Sequence, residues 1–371
     1  MFKLFVAFIA IALFLVLIAQ NASYVDVSFF HYTWKVPLFL LLLVSFGFGF
    51  VLPYLYFFFR ETALKSRLLK LKDALKELGR GYLGRSEKVL ASLRNSFKES
   101  AVLSALVLDM QGRHEDVKSI EGSANALAGY ILLKKGLIQE AKGKFQKAFE
   151  EDQENLMAIK GLRDISFLEG KIEEALELQK KVLKLTERWD KENQKAIKAE
   201  LLAHLYLKKG EEELIQEAYD SHTTPYVIYA YIVSLLKRGK IKDAKKQFEK
   251  AFSFGFQEDL LWHMLEDPKS LAELYDYIEE NKERISPDTL AMVYLRLNLF
   301  KKAEAIQEKL SPALRAIILS TTSHREEERR YGQVVEELLF PFVCSCGKPY
   351  KKYKPLCDNC YTWTNIRRRG S

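Results

Sequence analysis

The sequence predicts a mainly α-helical chain in three parts: a two-helix transmembrane hairpin, a solenoid of paired helices, and a small C-terminal four-cysteine metal knuckle. Three observations carry that prediction. Two apolar runs, 4–19 and 36–59, open the chain, and residues 1–59 hold 13 of its 24 Phe but only Lys3, Asp26 and Lys35 as formal charges. From about 99 to 340, turn glycines recur among residues of helical period. All four Cys lie between 344 and 360, which excludes a disulfide-built scaffold and points to one local site.

Composition bounds the rest. With 371 residues, 48% hydrophobic and 29% charged, the chain can build a core and is not disordered as a whole. The net charge of +8 divides as +1 over 1–59, +7 over 60–98, −6 over 99–343 and +6 over 344–371. Basic charge therefore sits beside the apolar runs and in a short tail, while the large middle is acidic. That distribution fits a membrane surface and disfavours nucleic acid as a partner.

The first run, Leu4 to Ala19, is just short of a usual span, and a signal peptide is the competing explanation. The second, Val36 to Phe59, is uncharged and long enough to cross, with Pro53 inside it and Gly47 and Gly49 marking a kink or a close helix contact. Arg60, Lys65, Arg67, Lys70 and Lys72 follow it, whereas the loop from Gln20 to Lys35 carries one Asp and one Lys. The positive-inside rule places that loop outside and both the N-terminus and everything beyond residue 60 in the cytoplasm. Asn21-Ala-Ser-Tyr-Val-Asp-Val-Ser-Phe29, Val36-Pro-Leu and the Leu-rich second span resemble the lipopolysaccharide assembly protein A family over roughly the first 80 residues. The resemblance implies a bacterial inner-membrane hairpin with a basic cytoplasmic helix.

Leu64, Leu68, Leu71, Leu75 and Leu78 form a short heptad seam that Gly79 and Gly81 end. Such a seam packs as a stalk on the next segment, with self-association or binding at the anionic leaflet as the other uses.

Aligned on a turn glycine, Ala128-Gly129, Gly136, Ala141, Phe145 and Ala148 define a frame. It recurs at Gly170 with Ala175 and Val182, at Gly210, at Gly239 with Ala244, Phe248 and Ala251, and weakly at Gly112 and at Asn298 with Ala303. This is the tetratricopeptide pattern, enough for a stacked core. The spacing is short between Gly112 and Gly136, long between Gly170 and Gly210 around Trp189, and degenerate from Phe254 to Pro287. Such solenoids bind polypeptides in a groove lined by the first helix of each pair. The groove candidates are Tyr130, Lys134, Lys160, Asp164, Glu200, His204, Lys208, Tyr229 and Lys237.

Cys344-Ser-Cys346-Gly347 and Cys357-Asp-Asn-Cys360 can offer four thiolates to one tetrahedral ion, zinc or iron. Gly347 permits the left-handed turn that aims backbone N–H groups at sulfur, and Lys348, Lys351, Lys352 and Lys354 offset the thiolate charge. Phe342-Val-Cys-Ser-Cys-Gly with Cys357-Asp-Asn-Cys-Tyr-Thr-Trp363-Thr-Asn-Ile366 resembles the rubredoxin-type tail of the lipopolysaccharide assembly protein B family. The family's first knuckle is Cys-x-x-Cys; here it is one residue shorter. In that family the tail follows cytoplasmic tetratricopeptide repeats on a membrane anchor.

Domain limits are expected at 1–59, 60–98, 99–340 and 341–371. Phosphate-binding, dinucleotide, zinc-protease and nucleophile-elbow motifs are absent from the sequence, and the six His are scattered. The chain is therefore expected not to be an enzyme. Together the two resemblances imply an inner-membrane adaptor that promotes proteolysis of the lipid A deacetylase by the membrane AAA+ protease. Other lipopolysaccharide assembly proteins and membrane lipids are further implied partners. The alternatives are a scaffold without effect on turnover, a rubredoxin-like electron carrier, and, last, a zinc ribbon binding nucleic acid through Arg367, Arg368 and Arg369.

Overall fold

The computed structural model describes residues 23–29, 31–322 and 342–368, with positions 8, 9, 11–13, 15, 16, 18, 20 and 326 in addition. Much of the expected first span, 4–19, and the boundary expected at 340–341 lie outside the described residues. The chain forms two compact units, Met1–Val107 and Leu108–Ser371.

The first unit opens with an antiparallel hairpin, β1 (Tyr24–Phe29) and β2 (Tyr32–Pro37), where the sequence predicted a loop. The turn between them carries none of the Gly, Asn or Asp signals that mark hairpins. Val36 pairs with Val25 in the ladder, so the following helix starts at Leu38, two residues later than the expected start of the span. Helix α1 (Leu38–Phe46) passes through a π-helical turn, Gly47–Val51, into α2 (Leu52–Gly79). Pro53 has no N–H to offer the preceding turn, and the wider turn absorbs that loss at the predicted kink. Among the described residues, Leu38–Gly79 is the one helix long and apolar enough to cross a membrane.

Helix α3 (Leu83–Leu93) folds back on α2. Ala74, Leu90 and Val107 are buried there, with Leu71, Leu78, Leu83, Val89 and Leu103 around them. Only Leu71 and Leu78 of the predicted seam are used in this core; Leu64, Leu68 and Leu75 stay exposed. A polar cluster closes this unit: the Ser104 hydroxyl donates to Glu87 at 2.6 Å, and Arg94 reaches both residues.

The second unit is helical pairs. Helix α4 (Ser100–Met110) carries Leu103, Ser104 and Val107 of the first unit, and beyond it the five-residue α5 (His114–Lys118) is followed by α6 (Asn125–Lys134) with α7 (Ile138–Glu151), and α8 (Leu156–Leu168) with α9 (Ile172–Leu185). Then follow α10 (Lys191–Lys209) with α11 (Glu212–Ser221), and α12 (Pro225–Lys237) with α13 (Ile241–Ser253). The degenerate stretch becomes three short helices, α14 (Gln257–Met264), α15 (Pro268–Glu273) and α16 (Tyr275–Glu280). The series ends with α17 (Pro287–Arg296), α18 (Phe300–Ala305) and α19 (Pro312–Thr322). The spacing departures read from the sequence have physical counterparts: α5 is a stub, and α10 is the longest repeat helix.

The turn glycines do one job. At Gly136 and Gly170 φ is +77°, and the next residue's N–H reaches back to Leu132 O (3.0 Å) and Ser166 O (2.8 Å). That is the Schellman closure of the first helix, which only a residue tolerating the left-handed region completes without strain. Asn298 substitutes for glycine in the same role at φ +58°, with Leu299 N bonded to Tyr294 O. Between the helices, Ala128, Ala141, Ala148, Ala175, Ala244 and Ala251 are buried with Phe145 and Phe248. Phe145 fits because Gly129 and Gly161 lack side chains: a Cβ on Gly161 would stand 2.3 Å from its ring.

Candidate metal centre

The tail folds as a three-stranded antiparallel sheet in the order β4 (Pro349–Tyr350), β3 (Phe342–Cys344), β5 (Ile366–Arg368). Cys344 ends β3. Gly347, at φ +88°, turns the chain back so that its N–H meets Cys344 O at 2.8 Å and Cys346 comes to face the second knuckle. That knuckle is held by Tyr361 N to Cys357 O (3.0 Å) and Cys357 N to Thr362 O (3.1 Å).

All four sulfurs lie within 4.8 Å of one another, and all are free thiols. Cys344 and Cys360 sulfurs stand 3.5 Å apart, Cys346 and Cys357 3.8 Å. A tetrahedral ion with metal–sulfur bonds of ~2.3 Å has sulfur edges of ~3.8 Å. The donor set therefore fits one such ion, and when bound it would tie the two knuckles to each other. Zinc and iron are both compatible with four thiolates.

Hydrogen-bond donors face the sulfurs, while burial pushes the Cys360 thiol up to about 12. The N–H groups of Asn359 and Cys360 point at Cys357 Sγ (3.4 and 3.5 Å), and Thr362 Oγ1 lies 2.9 Å from Cys360 Sγ. Cys346, on the shortened knuckle, is the exposed ligand, and the Asn359 side-chain amide lies 3.5 Å from its sulfur. Burial alone would raise the Cys346 thiol, but Asn359 and the Lys348 backbone N–H outweigh it and bring the group down to about 6. Of the four lysines, Lys348 and Lys354 both pair with Asp358 (2.7 and 3.3 Å), beside the sulfurs, and Lys352 reaches Glu266 (3.6 Å).

The knuckle does not stand apart from the repeats. Trp363 donates its indole N–H to Asp164 on α8 at 2.7 Å, with its ring 4.9 Å from Phe167 and under the Arg163 guanidinium. Tyr353 donates to Glu200 on α10 at 2.9 Å and packs on Tyr226 of α12 and His263 of α14. Phe342 stacks on His263 (5.6 Å). Arg368 lies 3.5 Å from Glu258 and 3.4 Å from Thr289 on α17. These partners all lie on first helices of pairs or their counterparts in the degenerate stretch.

Burial dominates the titration of this interface. It pushes Glu200 up to about 8, against the hydrogen bonds from Tyr353 and Thr224, and it pushes His263 down to about 3. Asp164 is raised by burial as well, with Arg163 and Trp363 opposing.

The groove candidates divide accordingly. Asp164 and Glu200 meet the chain's own tail, and Tyr229 is buried beside His263. His204 is half-buried, 3.1 Å from the Tyr226 hydroxyl. Lys160 pairs with Asp190 at 3.1 Å. Tyr130, under Lys134, stays exposed, as do Lys208 and Lys237. Trp363, Tyr353, Phe342, Arg163 and His263 were not expected at an interface. The available signal was a pair of aromatics in a basic tail opposite an acidic repeat segment.

Known proteins give the following likenesses. The family described as Lipopolysaccharide assembly protein A domain matches residues 20–80. No curated protein matches the chain significantly. Among solved structures, a tetratricopeptide repeat protein from Parabacteroides merdae ATCC 43184 aligns at 16% identity and TM-score 0.35, over 73% of this chain and 99% of that one. The APC/C hetero-tetramer Cut9-Hcn1 aligns at 14% identity and TM-score 0.31, over 72% and 55%. The N-terminal segment is thus similar to a lipopolysaccharide assembly domain, on a chain whose remainder is paired helices closed by a four-cysteine knuckle.

Proposed function

We propose that the chain is a membrane-anchored, non-catalytic adaptor of lipopolysaccharide assembly. The observation that carries this is the match of residues 20–80, which covers both the hairpin β1–β2 and the apolar helix that follows. The proposed placement is the bacterial inner membrane, with two spans and with the basic end of α2, the repeats and the knuckle in the cytoplasm.

The finer proposal is that it promotes proteolysis of the lipid A deacetylase by the membrane AAA+ protease. Confining the repeats to the membrane plane raises their effective concentration beside a membrane-bound protease. With the tail lying against Asp164 and Glu200, a client is left the exposed candidates Tyr130, Lys134, Lys208 and Lys237. The four cysteines, loaded with zinc or iron, serve in this proposal to hold the tail in shape. The test is the half-life of the deacetylase after protein synthesis is blocked. A longer half-life without this protein supports the adaptor; an unchanged one leaves a scaffold that gathers assembly proteins. The exposed edge at Cys346 favours one other use, electron transfer through iron. A colourless zinc-loaded protein would sink that alternative.

A further inference from the structure

The hairpin β1–β2 has two unlike faces. Its register sets Val25 against Val36 and Val27 against Trp34, while Tyr24 opposes Pro37, Asp26 opposes Lys35 and Ser28 opposes Thr33. Residues opposite one another share a face, and the faces alternate along each strand. One face therefore gathers Val25, Val27, Tyr32, Trp34 and Val36, whose polar groups are the tyrosine hydroxyl and the indole N–H alone. The other carries Asp26, Lys35, Ser28 and Thr33, with Tyr24 and Pro37 at its open end.

Among the described residues this apolar face stays largely open, with only Val27 and Val36 half-buried. Tyr32 is 69% and Trp34 60% exposed. A lone two-stranded hairpin is at best marginally stable in water, and an apolar patch of this kind marks a contact surface.

Two observations say what covers it. First, β2 runs without a linker into α1, and Leu38 N–H donates to Ser23 O at 2.8 Å, so the open end of the hairpin is tied to the first turn of the apolar helix. Leu40, Leu43, Val44 and Phe48 of that helix are exposed apolar side chains too, so the apolar surface continues from hairpin to helix. Second, the residues are those of a membrane boundary: Trp and Tyr, each with an apolar ring and a polar edge, favour the headgroup level.

We infer that the hairpin lies flat on the bilayer at the end of the span, with Trp34 and Tyr32 in the headgroup–acyl boundary and Asp26 and Lys35 turned to water. The occupant of the face is the lipid of the membrane that the helix crosses. This rests on Leu38–Phe59 being membrane-spanning, and it adds a second lipid contact made by β structure.

The test uses the full chain in vesicles of phosphatidylcholine and phosphatidylglycerol, first floated on a density gradient. Trp34 is then read as the difference in fluorescence between the native chain and Trp34→Phe. Lipids brominated high or low on the acyl chain quench from within, and iodide quenches from water. The expected result is flotation, strong loss of the Trp34 signal with high bromines, weaker loss with low ones, and little with iodide. A chain that floats but whose Trp34 is quenched only by iodide overturns the inference and leaves the anchor standing. Trp34 shielded from both quenchers overturns it too, because protein then covers the face. A chain that does not float removes the anchor and the inference together.

Discussion

The indole N–H of Trp363 donates to the carboxylate of Asp164 at 2.7 Å across 199 positions of chain, and both residues are buried. Arg163 bonds the same carboxylate at 2.7 Å and Gln179 at 2.6 Å. One tail residue thereby completes a buried charged pair on α8.

Trp363→Phe keeps a ring against Phe167 and removes the donor to Asp164. A lost bond to a buried charged group costs about 1–3 kcal/mol. Hydrogen exchange over 342–368 should speed up while bound metal per chain stays constant. Exchange unchanged from the native chain would show that the bond does not hold the tail.

Stability should depend on pH through Glu200 and His263. Glu200 sits at about 8 when folded against an ordinary 4.5, so the folded state binds the extra proton and stability falls as pH rises between those values. His263 sits at about 3 against 6.5, so stability falls as pH drops through that window. The two slopes cancel between 4.5 and 6.5, leaving a net fall from 6.5 to 8 of at most ~1.4 kcal/mol per pH unit. Thermal midpoints of the metal-loaded chain measured across that range should show the fall. Glu200→Gln, which keeps an acceptor for Tyr353, should flatten it.

Gly161→Ala tests the close approach of Phe145. Alanine favours a helix over glycine by ~1 kcal/mol, but the ring at 2.3 Å is fully buried and has nowhere to go. Overpacking of that kind costs about 1–3 kcal/mol. Helicity should melt at lower temperature in this variant. Gly143→Ala, where nothing lies within 4 Å, should melt at the same temperature or higher.

Cys344→Ser combined with Cys346→Ser removes one knuckle. Bound metal should be lost and a protease should cut the tail between 342 and 368 sooner. Full metal content with native function in that variant would remove the functional role of the site.

The sequence made the repeats legible because their closure needs one particular residue: a left-handed turn position recurs as Gly136, Gly170, Gly210, Gly239 and, in substitute form, Asn298. The four-cysteine site was legible for the same reason, since thiolate chemistry leaves few other residue types. The hairpin β1–β2 was not, because the sequence between its strands offers no Gly, Asn, Asp or Pro. The docking of the tail was invisible as well. Asp164 and Glu200 look like solvated positions of a helix, and no local pattern tells that Trp363 and Tyr353 will reach them.

Arrays of repeats touch only their neighbours, so each can fray almost independently of the rest. Here β3, β5 and the segment between them touch α8, α10, α12, α14 and α17 at once. Those contacts join α8 to α17 by a route that bypasses the intervening interfaces. Opening any one of these pairs then strains contacts held by the others, so this stretch should unfold as one cooperative block instead of peeling from its end. The knuckle, which runs only from Phe342 to Arg368, sets how large a piece of the protein must be lost at a time.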